Sequence, residues 1–82
     1  MTQVLKLLTE EIAISTANTV ANNVLVRVTN PTTSNVLLTQ ANTGGTIAST
    51  TVLGNSAVIV MKANTDTLAG TGLKATAVAY KN

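Results

Sequence analysis

No cysteine, histidine, phenylalanine or tryptophan occurs in these 82 residues, and the one aromatic side chain is that of Tyr80. Each absence excludes something. Without cysteine no disulfide can close the chain, and without histidine as well the nitrogen and sulfur ligands of a structural zinc are missing. A Ser or Thr nucleophile would have no imidazole to activate it, and no Ser-x-x-Lys element stands in for one. The carboxylates are Glu10, Glu11 and Asp66. Glu10 and Glu11 are adjacent, so on an extended chain they point to opposite sides and cannot act jointly on one substrate. Gly44-Gly45 and Gly70-Thr71-Gly72 are too short for phosphate-cradling loops and read as turns. The oxygen-bearing run Asn64-Thr65-Asp66-Thr67 holds a single carboxylate, a poor basis for calcium binding. The parts for catalysis, a metal or a cofactor are therefore lacking, and the expectation is a protein that is not an enzyme and acts through shape, backbone edges and uncharged polar groups.

Missing aromatics also constrain the interior. It must be filled with Val, Leu, Ile and Ala, which suits two thin sheets lying close together. A single domain of this size hides only about 60–65% of its unfolded surface. With neither disulfide nor metal available, oligomerisation or docking onto a larger assembly is the remaining way to cover more apolar area.

Charge is scarce too. Five basic and three acidic side chains face sixteen threonines and nine asparagines. Threonine favours strands and asparagine favours turns. A surface of hydroxyls and amides can contact neighbours without desolvating ions. The basic residues Lys6, Arg27, Lys62, Lys74 and Lys81 are spread along the chain, with neither the basic stripe nor the stacking rings of a nucleic-acid binder. The apolar stretch 4–8 is too short for a secretory signal and stops at Glu10 and Glu11, and no run approaches the roughly 20 apolar residues of a membrane span. Nucleic acid and membrane are thus not expected as partners.

What is abundant is alternation with period two, broken by turn signals every eight to twelve residues, the pattern of a sandwich or barrel. Residues 4–8 read as a first extended piece or a short helix, followed by 11–16 with Ile12, Ile14 and Thr16 on one face. Residues 23–29 put Val24, Val26 and Val28 on one face, and Asn30-Pro31-Thr32-Thr33-Ser34 turns the chain. Residues 35–41 are then expected to form a hairpin with 23–29. Thr43-Gly44-Gly45-Thr46 predicts a second hairpin with positive φ at the glycine pair, leading into 47–53. Residues 57–62 are apolar at nearly every position and read as a central strand buried on both faces. Residues 64–72 read as the longest loop, with a helical turn inside Asp66–Ala69 as the alternative. The last strand, 73–80, alternates Leu73, Ala75, Ala77 and Ala79 against Lys74, Thr76, Val78 and Tyr80. The expected fold is all-β: a single small antiparallel β-sandwich of about six to seven short strands over 12–82, preceded by an extended N-terminal arm or first strand over 1–11.

Three stretches, Leu25-Val26-Arg27-Val28-Thr29-Asn30, Leu53-Gly54-Asn55-Ser56 and Met61-Lys62-Ala63-Asn64-Thr65-Asp66-Thr67-Leu68, together with the closing Ala75-Thr76-Ala77-Val78-Ala79-Tyr80, resemble small β-sandwich virion proteins of tailed bacteriophages, particularly marine and cyanobacterial ones. The likeness runs from about Val24 to the end. It implies a virion structural protein made in the host cytoplasm and present in many copies. The leading expectation is a homo-oligomeric capsid decoration or cement protein bound to the major capsid protein or other virion proteins. A tail or fibre adaptor of the same fold is the first rival, and a carbohydrate-binding module, poorly served by a lone Tyr80, is another. Strand addition at an exposed sheet edge is a further route to partners. The candidate partner-binding residues are Val4, Leu5, Leu7 and Leu8, which cannot all enter one small core, together with Lys62, Asp66 and Tyr80.

Overall fold

The computed structural model describes residues 4–81, and side chains for 5–79; Met1–Gln3 of the expected arm lie outside them, as do the side chains of Val4 and Tyr80. All the regular structure is β: β1 (Val4–Leu7), β2 (Ile12–Ala13), β3 (Leu25–Asn30), β4 (Val36–Asn42), β5 (Gly45–Val52), β6 (Ser56–Met61), β7 (Thr67–Ala69) and β8 (Lys74–Lys81). One antiparallel sheet has the order β1-β8-β3-β6, with β2 continuing the β1 edge along β8, and the other has the order β5-β4-β7. Asn18 adds a single antiparallel bridge to Leu68 on the free side of β7.

The pairing follows one rule. β1 pairs with β8, Asn18 with β7, β3 with β6 and β4 with β5. The chain is one long antiparallel hairpin with its tip at the β4–β5 turn, rolled so that successive rungs fall alternately in the two sheets. That is the strand order of a jelly roll.

Strand alternation supplies the filling. Val26 and Val28 of β3 and Ala75 and Ala77 of β8 face Leu38 of β4, Val52 of β5 and Leu68 of β7, with Ile14, Val20 and Leu73 closing the ends. The predicted apolar face of the last strand is thus an inner face, and its alanines let the second sheet approach closely.

Several expectations are corrected. Strands β3 and β4 form no hairpin: they lie in different sheets, because the Pro31 turn carries the chain across the sandwich instead of folding it back. Val4–Leu7 is a strand, the extended reading rather than the helical one, and within the expected loop 64–72 it is not a helical turn that forms but a strand, Thr67–Ala69, drawn in by pairing with β4. β2 covers only Ile12 and Ala13 of the predicted 11–16. β6 is not central but an edge strand, its inner-face Val58 and Val60 half-buried and Ile59 and Met61 turned outward. The β4–β5 hairpin is present, yet only Gly45 takes a positive φ (115°), while the Asn42 side chain accepts a bond from the Gly44 N–H (2.8 Å). Eight strands stand where six or seven were expected.

Two polar devices hold the crossings. Asn30, fully buried at the end of β3, donates from Nδ2 to Ser34 O (2.8 Å) and to Val52 O of the opposite sheet (2.9 Å). Its Oδ1 accepts from Thr32 N (3.0 Å) and Thr32 Oγ1 (2.6 Å). The next crossing leans on this turn: Asn55 N donates to Thr32 O (2.9 Å), and Gly54 lies so close that a Cβ there would meet Thr33 O at 2.6 Å. The second device is a left-handed turn over Val20, Ala21 and Asn22, with φ of 50°, 58° and 55°. Asn18 Oδ1 accepts from Val20 N (2.7 Å), Asn23 N donates to Val20 O (3.2 Å), and the Val20 side chain is buried in the core. Left-handed geometry costs L-residues about 1–2 kcal/mol each.

Asn30→Ala leaves two carbonyls and an N–H without their partner and is expected to cost about 2–4 kcal/mol, a fall of roughly 10 °C or more in Tm for a domain of this size. Ala21→Gly, at an exposed position of positive φ, relieves strain by up to about 1 kcal/mol and is expected to raise Tm by a few degrees in the same melting assay.

Candidate interaction surface

Because Val26, Val28, Ala75 and Ala77 point inward, the alternate residues of the same strands make up the outer face of the larger sheet. Register then aligns them. Leu7 of β1 stands opposite Val78 of β8, and Leu25 of β3 opposite Met61 of β6. Where the β3–β8 ladder has ended, the Asn23 amide donates to both Leu25 O (2.6 Å) and Val78 O (2.9 Å) and holds the two strands together. The result is an apolar row, Leu7-Val78-Leu25-Met61, running across four strands. Its centre is closed, Val78 being 1% exposed, while its ends are open, Leu7 at 67% and Met61 at 73%. Ile59 extends the exposed apolar area. The cation on this face beside Ile59 is Arg27, which donates to Thr29 Oγ1 (2.9 Å), and Lys74 lies further along.

The outer face of the smaller sheet differs in kind. Thr39, Ala41, Ser49, Thr51 and Thr67 dominate it, with Leu37 and the bulge residue Ile47 the large apolar exceptions. The two sides of the molecule are thus chemically distinct, one apolar and one hydroxyl-rich.

Of the sequence-predicted residues, Leu5 and Leu7 come together on the outer face of the larger sheet, and Leu8 follows at the start of the break between β1 and β2, its N–H donating to Ala77 O (2.8 Å). In that break Thr9 Oγ1 accepts from Ala77 N (3.1 Å), replacing the missing ladder bond. Val4 and Tyr80 are placed by backbone alone, paired with Lys81 and Leu5. Lys62 and Asp66 form a separate, buried group. Lys62 is 3% exposed and its Nζ donates to Ala63 O and Asn64 O (3.3 Å each), while Asp66 Oδ2 accepts from Gln40 Nε2 (2.9 Å). Burial lowers the Lys62 pKa from 10.5, and the charge of Asp66 opposes the shift.

A cleft of about 140 Å³ opens between Val60 of β6 and Ala48–Thr50 of β5, floored by Leu38 and Leu68. It is smaller than the roughly 300 Å³ of typical ligand pockets and holds no ionisable side chain. Among the described residues, no three of His, Cys, Asp and Glu gather in a way that could hold a metal, and no helix is long and apolar enough to cross a membrane. No family model matches the chain, and neither a curated protein nor a solved structure matches it.

Leu25, Ile59, Met61 and Val78 are the surface residues that sequence reasoning missed. The available signal was the apolar character of both faces of 57–62, which fits an outward-facing apolar stripe as well as a doubly buried strand.

A lysine whose folded pKa lies below its unfolded value opposes folding while charged, so the unfolded chain holds more protons between the two values and stability rises with pH across that window. Urea unfolding followed as the pH is raised toward 10.5 is therefore expected to show a stability gain that Lys62→Met abolishes; an unchanged slope in the variant would assign the gain to other groups.

Proposed function

We propose that this chain is a non-enzymatic virion structural protein, a capsid decoration or cement protein that stabilises the shell by packing against it. The apolar row Leu7-Val78-Leu25-Met61 carries the reading. Open at both ends on a small, nearly uncharged domain, it offers area that the domain's own core does not use, and exposed apolar area of this kind marks sites of association. The likeness of four sequence stretches to phage virion proteins points the same way. So does the jelly-roll strand order, which recurs in viral capsid domains, although fold analogy is a weaker argument than the surface itself.

The mechanism is mass action. A protein that binds only the assembled shell stabilises each site by RT ln(1 + [L]/Kd), multiplied over many copies. Few charges need desolvation on contact, and Arg27 sits on the face as the main polar anchor.

Quantitative mass spectrometry of purified particles is expected to give a copy number equal to the major shell protein or a simple fraction of it. A ratio of a few per cent would move the protein to the tail or fibre, and absence from particles would overturn the reading. Leu7→Asp, at a position 67% exposed, is expected to leave the fold intact and to reduce retention on particles by at least ~10-fold, since a buried unpaired carboxylate costs several kcal/mol.

A further inference from the structure

Open sheet edges are templates for further strands, and proteins normally guard them with charges, breaks, bulges or proline. Three edges here are guarded or minimal. The β1–β2 edge is interrupted at Leu8–Glu11 and flanked by Lys6, Glu10 and Glu11. The β5 edge carries a bulge, where the register against β4 shifts past Ile47, and bulges twist an edge away from partners. The Asn18 edge is a single bridge. β6, Ser-Ala-Val-Ile-Val-Met, has no charge, proline, glycine or bulge, and pairs with β3 without interruption over all six residues.

The direction of its free groups follows from the ladder. Lys62 N donates to Val24 O (2.8 Å), so pair 24–62 is hydrogen-bonded. In an antiparallel ladder bonded pairs alternate, which makes Val60 and Val58 the residues bonded to β3. The N–H and C=O groups of Ala57, Ile59 and Met61 therefore face outward from the sheet edge.

We propose that β6 pairs antiparallel with β6 of a second copy of this chain about a two-fold axis at Ile59. With that register Ile59 meets its own copy and Ala57 meets Met61 in both directions. All three free N–H and all three free C=O groups of each strand are then used. On the outer face the small Ala57 lies against the large Met61; on the inner face half-buried Val58 lies against Val60. Self-complementarity of this kind is what an isologous dimer requires, and it identifies the occupant as a second copy rather than an unrelated strand. The nearest like charges do not oppose it. Arg27 is next to Ile59 on β3, so the two Arg27 residues are three strand spacings apart, about 14 Å, beyond the screening length of about 8 Å at physiological salt. The larger sheets of the two copies become one continuous sheet, and their apolar outer faces become one surface. This inference does not rest on the virion reading.

Sedimentation of the full-length chain at micromolar concentration tests it. The expected result is a dimer whose dissociation constant rises at least ~10-fold in Met61→Lys, an exposed position where folding, checked by circular dichroism, is preserved, and is unchanged in Leu53→Lys. In the proposed register the two Ile59 Cα atoms are about 5.5 Å apart, with side chains on the same face, whereas the two Met61 residues, each opposite Ala57, are displaced along the strands by four residues, about 14 Å. Because the chain has no other cysteine, a short bis-maleimide is expected to cross-link Ile59→Cys, but not Met61→Cys or Leu53→Cys. A monomer throughout, a larger closed species, a dimer indifferent to Met61→Lys, or an Ile59→Cys protein that the bis-maleimide leaves unlinked would each overturn the pairing. Copy number in particles is a separate readout, so failure of the dimer leaves the virion reading standing, and the reverse.

Discussion

Four hydrogen bonds converge on the fully buried amide of Asn30, and the sandwich depends on them. A chain with no disulfide and no aromatic core has little else to set the angle at which it crosses from one sheet to the other. Asn30 ends β3 in the larger sheet, fixes the turn over Thr32 and Ser34, and reaches Val52 at the end of β5 in the smaller sheet. Only an amide offers two donors and an acceptor in that space; aspartate would lack the donors and leucine would leave the carbonyls bare. The neighbouring crossing at Gly54–Asn55 stacks on the same turn through Thr32 O, so one side chain sets the course of both.

Such a network explains how a jelly roll survives at this size. The core clusters around aliphatic side chains, and two of those facing the smaller sheet from β8 are alanines. Small inner residues keep the sheets close, and close sheets leave no room for a deep pocket, which agrees with a cleft that falls short of ligand size. The left-handed turn at Val20–Asn22 shows the same economy. Strain there is tolerated because it lets Val20 cap the core while Asn18 and Asn23 take up the backbone bonds. Functional surface is then left to the exterior, where one outer face is apolar and the other is lined with hydroxyls.

Local features were legible in the sequence and pairings were not. The alternation in 23–29 and 73–80 placed Val26, Val28, Ala75 and Ala77 on common faces, and those faces are inner ones. Turn chemistry located the β4–β5 hairpin and the Pro31 turn, yet nothing local distinguishes a turn that folds back from one that crosses the sandwich, because the difference lies in where the next strand finds its partner. Residues 17–22 went unread since a left-handed turn has no hydrophobic period, only its asparagines. Of the candidate site, Leu5 and Leu7 were legible because an apolar excess at the N-terminus exceeds what one small core can take. Lys62 and Asp66 were visible as residue types, but the amide that bonds Asp66, that of Gln40, is distant in the sequence.

The misreading of β6 carries the most physical content. An uncharged strand with apolar residues on both faces is, by composition, a strand meant to be covered on both sides and both edges. The chain itself covers one edge, with β3, and part of one face, with the smaller sheet. The conflict between local composition and position in the fold is of the kind that functional sites produce. With only eight charged side chains on the molecule, long-range steering contributes little, so any association through β6 and the adjoining apolar row must draw its strength from short-range packing and backbone hydrogen bonds. Complexes of that kind form at unsteered rates and vary chiefly in how slowly they come apart, a property suited to holding an assembly together rather than to relaying a signal.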